Sequence, residues 1–460
     1  MLSHAQTRNS TRLGIWLTFA FFITFTALAM VYCPFALWLI ALLSVIVIYK
    51  PDLLMPLVIT TLVWIPLRGI FSHRQGEVSA AVLALNIETG DLPRQIAIIA
   101  LLAIGCWILI RNRLTITQIS AVRYFSAYMA LGMLSILWSA DPLLTARRVT
   151  AAIGCTAFAV GMAAGYYGQQ HDGGLRFVRH VCIAGSFACA GVIAVAVLYG
   201  NFHLFDLGWR LGSVGRENQI SWVAALPFLA AYVTRSNRTI WPQPQVVMSI
   251  LGLTLTVLLL SKSRTTIIAA GAGLTASELL GGSLKRRVTA AMLIGTTLAV
   301  IVSSTLFAQL WKRGADEDQL HTASGRTALW EVVWRDISMH PFLGFGYGAY
   351  WTADRVTLEE VQWAATSAHC GYLDMAAELG FTGLGIIVLF IVMSCKDAWR
   401  LMSTSSRNHD IARLFLVIMV SFVVINMTES YINSIEYFPV LATLTFAFYI
   451  SFLYRTIHAR

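Results

Sequence analysis

The chain has 460 residues, of which 57% are hydrophobic and only 12% charged, with a formal net charge of +10 and a mean hydropathy of +0.69. A soluble domain carries roughly a quarter charged residues, so the composition excludes one and fits an all-α polytopic membrane protein. The excess of Lys and Arg is then read through the sidedness of membrane loops before any nucleic-acid partner is considered, and none is expected.

Apolar runs near the ~20 residues that cross a bilayer recur from end to end. In chain order they fall near 14–32, 35–49, 52–68, 95–110, 119–138, 149–169, 180–199, 219–234, 244–261, 265–282, 288–308, 380–396, 411–428 and 436–454. The second is short and the third contains Pro56 and Pro66, which gives about 12–14 spans. With the N-terminus inside, the cytoplasmic turns hold Arg8 and Arg12, Lys50, Arg111 and Arg113, Arg176 and Arg179, Arg235 and Arg238, and Lys285 to Arg287. That alternation puts both termini in the cytoplasm. The first apolar run lacks a small-residue cleavage site and reads as a membrane helix.

The chain is expected to be one transmembrane domain, 1–460, with two outside insertions: a smaller periplasmic loop at 69–94 and a large one at 309–378. Outside segments retain Arg68, Arg74, Arg94, Arg147, Arg148, Arg210, Arg216, Lys262 and Arg264, against the positive-inside bias. An anionic partner on that side is the simplest reason.

The large loop carries most of the chemistry. Leu329, Val332, Val333 and Ile337 recur at helical spacing and predict an amphipathic helix over 326–339, flanked by Trp330 and Trp334 and ended by Pro341. Lying on the membrane surface with its tryptophans at headgroup depth is the plain reading of that helix. Gly344, Gly346 and Gly348 then suggest a turn where backbone approaches a ligand. Ser367 is expected to cap a helix from about Ala368 to Leu379, with Gly380 leading into the next span. His369 would sit in its first turn, where the positive helix end favours a neutral ring able to accept a proton. A polar residue at the membrane interface is the alternative.

Arg264 stands between two apolar runs, and Arg210 and Arg216 lie in GWRLGSVGRENQI. Guanidinium groups bind phosphate in bidentate fashion, so the three suggest a pyrophosphate clamp, with Arg326 as a fourth candidate; each is otherwise a snorkelling anchor. Glu429, in TESYIN, would orient a histidine, hold an arginine or mark the interface. Asp374 and Glu378 are expected on the polar edge of their helix. Trp351, Trp363, Tyr347 and Tyr350 would stack on sugar faces or sit at the interface. Asp316, Glu317 and Asp318 occupy a charged loop, the seven cysteines show no ligand spacing, and neither a metal nor a cofactor is expected.

Taken in order, WSADPLLTARR, SKSRTTIIA, SGRTALWEVVWRDISMHPFLGFGYGAYW, SAHCGYLDMAAELGFTG and TESYIN resemble the O-antigen ligase and polymerase superfamily, nearest its exopolysaccharide-production branch. The resemblance runs from about residue 130 to 450. It implies a GT-C-like glycosyltransferase of the bacterial inner membrane, acting at the periplasmic face on a glycan linked to undecaprenyl pyrophosphate. Metal-independent, inverting transfer is implied, with His369 as base and Arg264 and Arg216 as the leading pyrophosphate ligands; Arg210 and Arg326 carry over more weakly. Relatives often place asparagine where this chain has Cys370. The implied partners are the lipid-linked glycan, the bilayer, and chain-length regulator or export proteins. Polymerisation of repeat units, ligation of a finished glycan to lipid A–core, and transport of lipid-linked sugars are the three functions considered, in that order.

Overall fold

The computed structural model describes residues 92–112, 119–168, 173–198, 211, 217–281, 287–288, 291–292, 295, 326–355, 365–405 and 408–458. Among these the chain is 82% helical with no strand. The expected spans at 14–32, 35–49 and 52–68, nearly all of 288–308, and the 69–94 loop up to residue 91 lie outside the described residues, while residues 92–94 open the first described helix.

Eleven described helices follow one another: α1 Leu92–Asn112, α2 Ser120–Leu134, α3 Pro142–Gly168, α4 Gly173–Leu198, α5 Glu217–Thr234, α6 Pro244–Leu260, α7 Arg264–Gly281, α8 Arg326–Met339, α9 Gly371–Thr404, α10 His409–Ile425 and α11 Phe438–His458. Five stretches among them are long and apolar enough to cross a membrane: Ser120–Leu137, Pro142–Gly168, Gly173–Ile193, Gly371–Thr404 and Phe438–Ile457. The protein is therefore a polytopic helical membrane protein. Helices α5, α6, α7 and α10 occupy further expected spans.

Polar residues collect at the two ends of this bundle. At one end, Arg235 lies 3.9 Å from Glu278, Arg413 donates to Ser277 at 2.9 Å, and Asp397 accepts the hydroxyls of Ser120 and Ser451 at 2.5 and 2.9 Å. The other end gathers the α2–α3 turn, the start of α5, the α6–α7 turn, α8 with the loop that follows it, the start of α9, and the α10–α11 connection. Its α2–α3 turn is built by local chemistry. Asp141 accepts the Leu144 N–H at 2.9 Å and Pro142 opens α3, a cap followed by a proline that sacrifices no needed donor.

Helix α8 forms over Arg326–Met339 as the periodicity predicts, and its stripe of Leu329, Val332, Val333 and Ile337 is buried. Trp334 is exposed, whereas Trp330 turns inward to Ala368. α9 is broken at Gly380, whose φ of 65° and ψ of −172° lie in a region essentially reserved for glycine. The break strands the carbonyls of Ala377 and Glu378, and the N–H groups of Phe345 and Gly346 take them at 2.9 and 2.8 Å. The glycines at 344, 346 and 348 thus bring backbone against the protein itself. Their φ values are positive, and an added Cβ would meet Ala377, Ser139 and Arg148 respectively. This corrects the expectation of a turn shaped around a ligand.

A Cβ at residue 380 would lie 2.2 Å from the carbonyl carbon of Phe342. Gly380→Ala is expected to destabilise the protein by about 3 kcal/mol, the upper end for a glycine-only conformation, with the clash adding to it. A thermal melt in detergent reads this directly; an unchanged midpoint would mean that the kink is dispensable.

Two further expectations are revised. Asp374 and Glu378 are buried at 3% and 5% exposure, not on a polar edge. Tyr347, Tyr350 and Trp351 are buried as well and are not surfaces for sugar. Tyr350 donates to Asp336 at 3.1 Å and Trp351 to Asp374 at 2.7 Å. Arg355 donates to Asp336 at 2.6 Å beneath the rings of Phe345 and Tyr350, so the loop after α8 closes on its own small core. Trp363 lies outside the described residues.

Candidate functional site

Four elements converge on Glu429, and the connection between α10 and α11 puts it there. Asn426, at the end of α10, accepts the N–H groups of Tyr431 and Ile432 at 3.0 and 2.9 Å, which folds the segment back on itself. The start of α9 docks on that fold: Gly371 donates to the carbonyls of Asn426 and Glu429 at 2.9 and 3.1 Å. Only a residue without a side chain fits, since a Cβ at 371 would lie 2.6 Å from Asn426 Oδ1.

The carboxylate of Glu429 is buried and held from several sides. Asn218, in the first turn of α5, donates to Oε1 at 2.6 Å, and Arg326, the first residue of α8, lies 3.3 Å from the same oxygen. Arg326 also donates to the Thr428 carbonyl. Nδ1 of His369 stands 3.7 Å from Oε2, an ion-pair distance longer than a hydrogen bond. The network continues from Asn218, whose Oδ1 accepts the Ser263 hydroxyl at 2.7 Å. Ser263 directly precedes Arg264, which opens α7. Glu429 thus lies beside both the histidine and an arginine.

The helix beside His369 starts later than expected. It begins at Gly371 with Cys370 at its cap position and no side-chain cap bond, because the N–H of Ala368 is taken by Asp374 and that of Gly371 by two carbonyls. His369 therefore precedes the helix, and the carboxylate of Glu429 replaces the helix end as its charged neighbour. Its backbone is left-handed, with φ 49°. Lys262, two residues before Arg264, is also left-handed at 48°. These are the two non-glycine residues with positive φ among the described residues, and both stand at this end of the bundle. Such conformations concentrate at functional sites because the surroundings must hold them. Burial pushes the Cys370 thiol above its usual range, which disfavours a thiolate nucleophile.

Arg210 and Arg216 lie outside the described residues. Leu211, between them, is buried and donates to the Leu260 carbonyl at 2.7 Å, next to the α6–α7 turn. Asp316, Glu317 and Asp318 are likewise outside. No group of residues suited to a metal is found among the described residues. Sequence reasoning missed Asn218 and Asn426. Both are common polar residues in short motifs, and only their distant partners distinguish them.

Fold and site together define a polytopic membrane protein with a Glu–His–Arg cluster at one end of its bundle. Residues 249–390, which include Arg264, Arg326 and His369, match the family described as O-Antigen ligase. The chain is also similar to the exopolysaccharide production protein ExoQ of Rhizobium meliloti (strain 1021), with 22% identity over 363 residues, covering 71% of this chain and 78% of that protein. These comparisons make the chain similar to the O-antigen ligase-related family, most directly over residues 249–390.

Proposed function

We propose that the protein polymerises oligosaccharide repeat units carried on undecaprenyl pyrophosphate, at the periplasmic face of the bacterial inner membrane, to make an exopolysaccharide or O-antigen-type glycan. The observation that carries this reading is the cluster of His369, Glu429 and Arg326 at one bundle end, in a chain similar to an exopolysaccharide production protein. In this reading the large loop is 309–378, both termini are cytoplasmic, and the site faces the periplasm, where the charged lipid-linked donor is presented.

The chemistry follows from the residue types. A hydroxyl of the acceptor glycan attacks the anomeric carbon of the donor from the face opposite the pyrophosphate, so the configuration inverts. The hydroxyl proton passes to the ring of His369, and the bond from the anomeric carbon to the pyrophosphate oxygen breaks. Glu429 orients the ring and balances the imidazolium as it forms. The leaving undecaprenyl pyrophosphate gains charge, which Arg264 and Arg216 meet, with Arg210 in support; guanidinium groups can stand in for a metal here. Arg326 is held against Glu429, so its part in binding pyrophosphate is shared with holding the glutamate.

Ligation of a finished glycan to lipid A–core or another acceptor is the second reading. The O-antigen ligase match is what favours it, and donor and chemistry are the same. The test uses purified protein and an undecaprenyl pyrophosphate-linked repeat unit in EDTA. A ladder of lengthening lipid-linked glycans supports the polymerase; transfer to lipid A–core without a ladder supports the ligase. Failure with both acceptors, with or without divalent metal, overturns glycosyl transfer and leaves transport.

A further inference from the structure

His369 is held in its left-handed conformation from both sides, and the residues on its N-terminal side have no part in the chemistry above. The peptide groups of Ala368 are pinned at both polar atoms. Its N–H donates to Asp374 Oδ1 at 2.9 Å, and its carbonyl accepts the indole N–H of Trp330 at 2.8 Å. Asp374 Oδ1 is itself fixed by the Trp351 indole at 2.7 Å. Ala368 is fully buried, so its small side chain sits inside the loop core beside Leu329 and Val333. On the C-terminal side Gly371 is held by the carbonyls of Asn426 and Glu429.

A left-handed residue other than glycine is strained and persists only where its neighbours over-determine it. Here the determinants come from α8, the loop that follows it, and α9, which fold back on one another around Ala368. The alternative role of Trp330, a headgroup anchor like Trp334, does not account for an indole N–H aimed at a buried carbonyl.

We infer that Trp330 and Asp374 are positioning residues that clamp Ala368 and thereby aim the His369 ring at the acceptor hydroxyl. The inference rests on the reading of His369 as the base. A displacement of the ring by ~1 Å is enough to lower turnover about 10²-fold. The clamp touches no substrate, so the loss falls on kcat and leaves KM within about twofold.

Three variants test it. Trp330→Phe keeps the ring and removes the donor, and the half-buried site tolerates it. Asp374→Ala removes the acceptor, and Asp374→Asn keeps an acceptor oxygen in the same place. Expected is a kcat lowered by about 10²-fold in Trp330→Phe and Asp374→Ala, with most activity restored in Asp374→Asn and melting curves of Trp330→Phe close to the parent. Rescue by asparagine is a result that mere packing at residue 374 shares, but a kcat-only loss in Trp330→Phe is not.

Hydrogen exchange over residues 365–370 supplies a readout that needs no turnover. Loss of one hydrogen bond worth ~1.4 kcal/mol predicts about tenfold faster exchange at Ala368 in Asp374→Ala. Unchanged exchange in that variant overturns the clamp, whatever the activity. Faster exchange with normal kcat in both variants overturns positioning and leaves a structural bond. Full activity of His369→Ala overturns the base reading itself, which separates that failure from failure of the clamp.

Discussion

His369→Ala is expected to lower glycan transfer by about 10²–10⁴-fold, the range for loss of a general base, with little change in membrane insertion or melting temperature. The side chain is 32% exposed, so its removal leaves no sealed cavity, and alanine still places a β-carbon in the left-handed region. His369→Gln is expected to be nearly as inactive, since an amide accepts a hydrogen bond but does not take up a proton at neutral pH. The measurement is initial rate of ladder formation at equal amounts of folded protein. If His369→Ala turns over within threefold or so of the parent, where a base should cost at least 10², proton transfer lies elsewhere and the cluster around Glu429 is structural.

Glu429→Ala is expected to have the broader effect, on stability and activity together. The carboxylate is buried and answers Arg326 and Asn218 directly and His369 across 3.7 Å. Removing one partner of a buried pair leaves the other charge uncompensated, at a cost of 3–5 kcal/mol. Arg326 retains some solvent access and the Thr428 carbonyl, which places the expected loss near ~3 kcal/mol. Glu429→Gln keeps an acceptor for Asn218 while discarding the charge, so it should melt between Glu429→Ala and the parent. Its activity should stay low, because a neutral amide cannot balance an imidazolium. A Glu429→Gln variant that melts with the parent would show that the charge itself does not hold this end together.

Arg326→Ala, alone and combined with Glu429→Ala, separates the two uses of Arg326. If Arg326 chiefly holds Glu429, its loss and that of Glu429 are strongly non-additive in stability, as expected for residues in contact. If Arg326 chiefly binds pyrophosphate, its variant melts normally and loses affinity for the donor.

Much of the fold was legible because its causes are local. The α8 boundaries follow from four apolar residues at helical spacing and a proline two residues beyond the last turn. The break at Gly380 was marked by a glycine between a short polar helix and an apolar run. The start of α3 at Pro142 was not read from the sequence, where the expected span began at 149; only the cap bond of Asp141 to Leu144 marks it. The composition alone sufficed for a helical membrane protein, since backbone in a bilayer must satisfy its own hydrogen bonds.

The site was legible in its residue types more than in its geometry. His369, Glu429, Arg326 and Arg264 stood out as charged or titratable groups beside apolar spans, where such groups are costly. Their partnerships did not, because Asn218 meets Glu429 across 211 residues of chain and Arg326 meets it across 103. Nor did periodicity reveal that Asp374 and Glu378 are buried. They follow a helical face that is polar by composition, and only the approach of the loop after α8 covers it. Local patterning thus determined the class, the helices and the candidate residues. Tertiary packing alone decided that His369 lies outside its helix, left-handed and opposite Glu429, because the contacts that hold it there come from segments that only folding brings together.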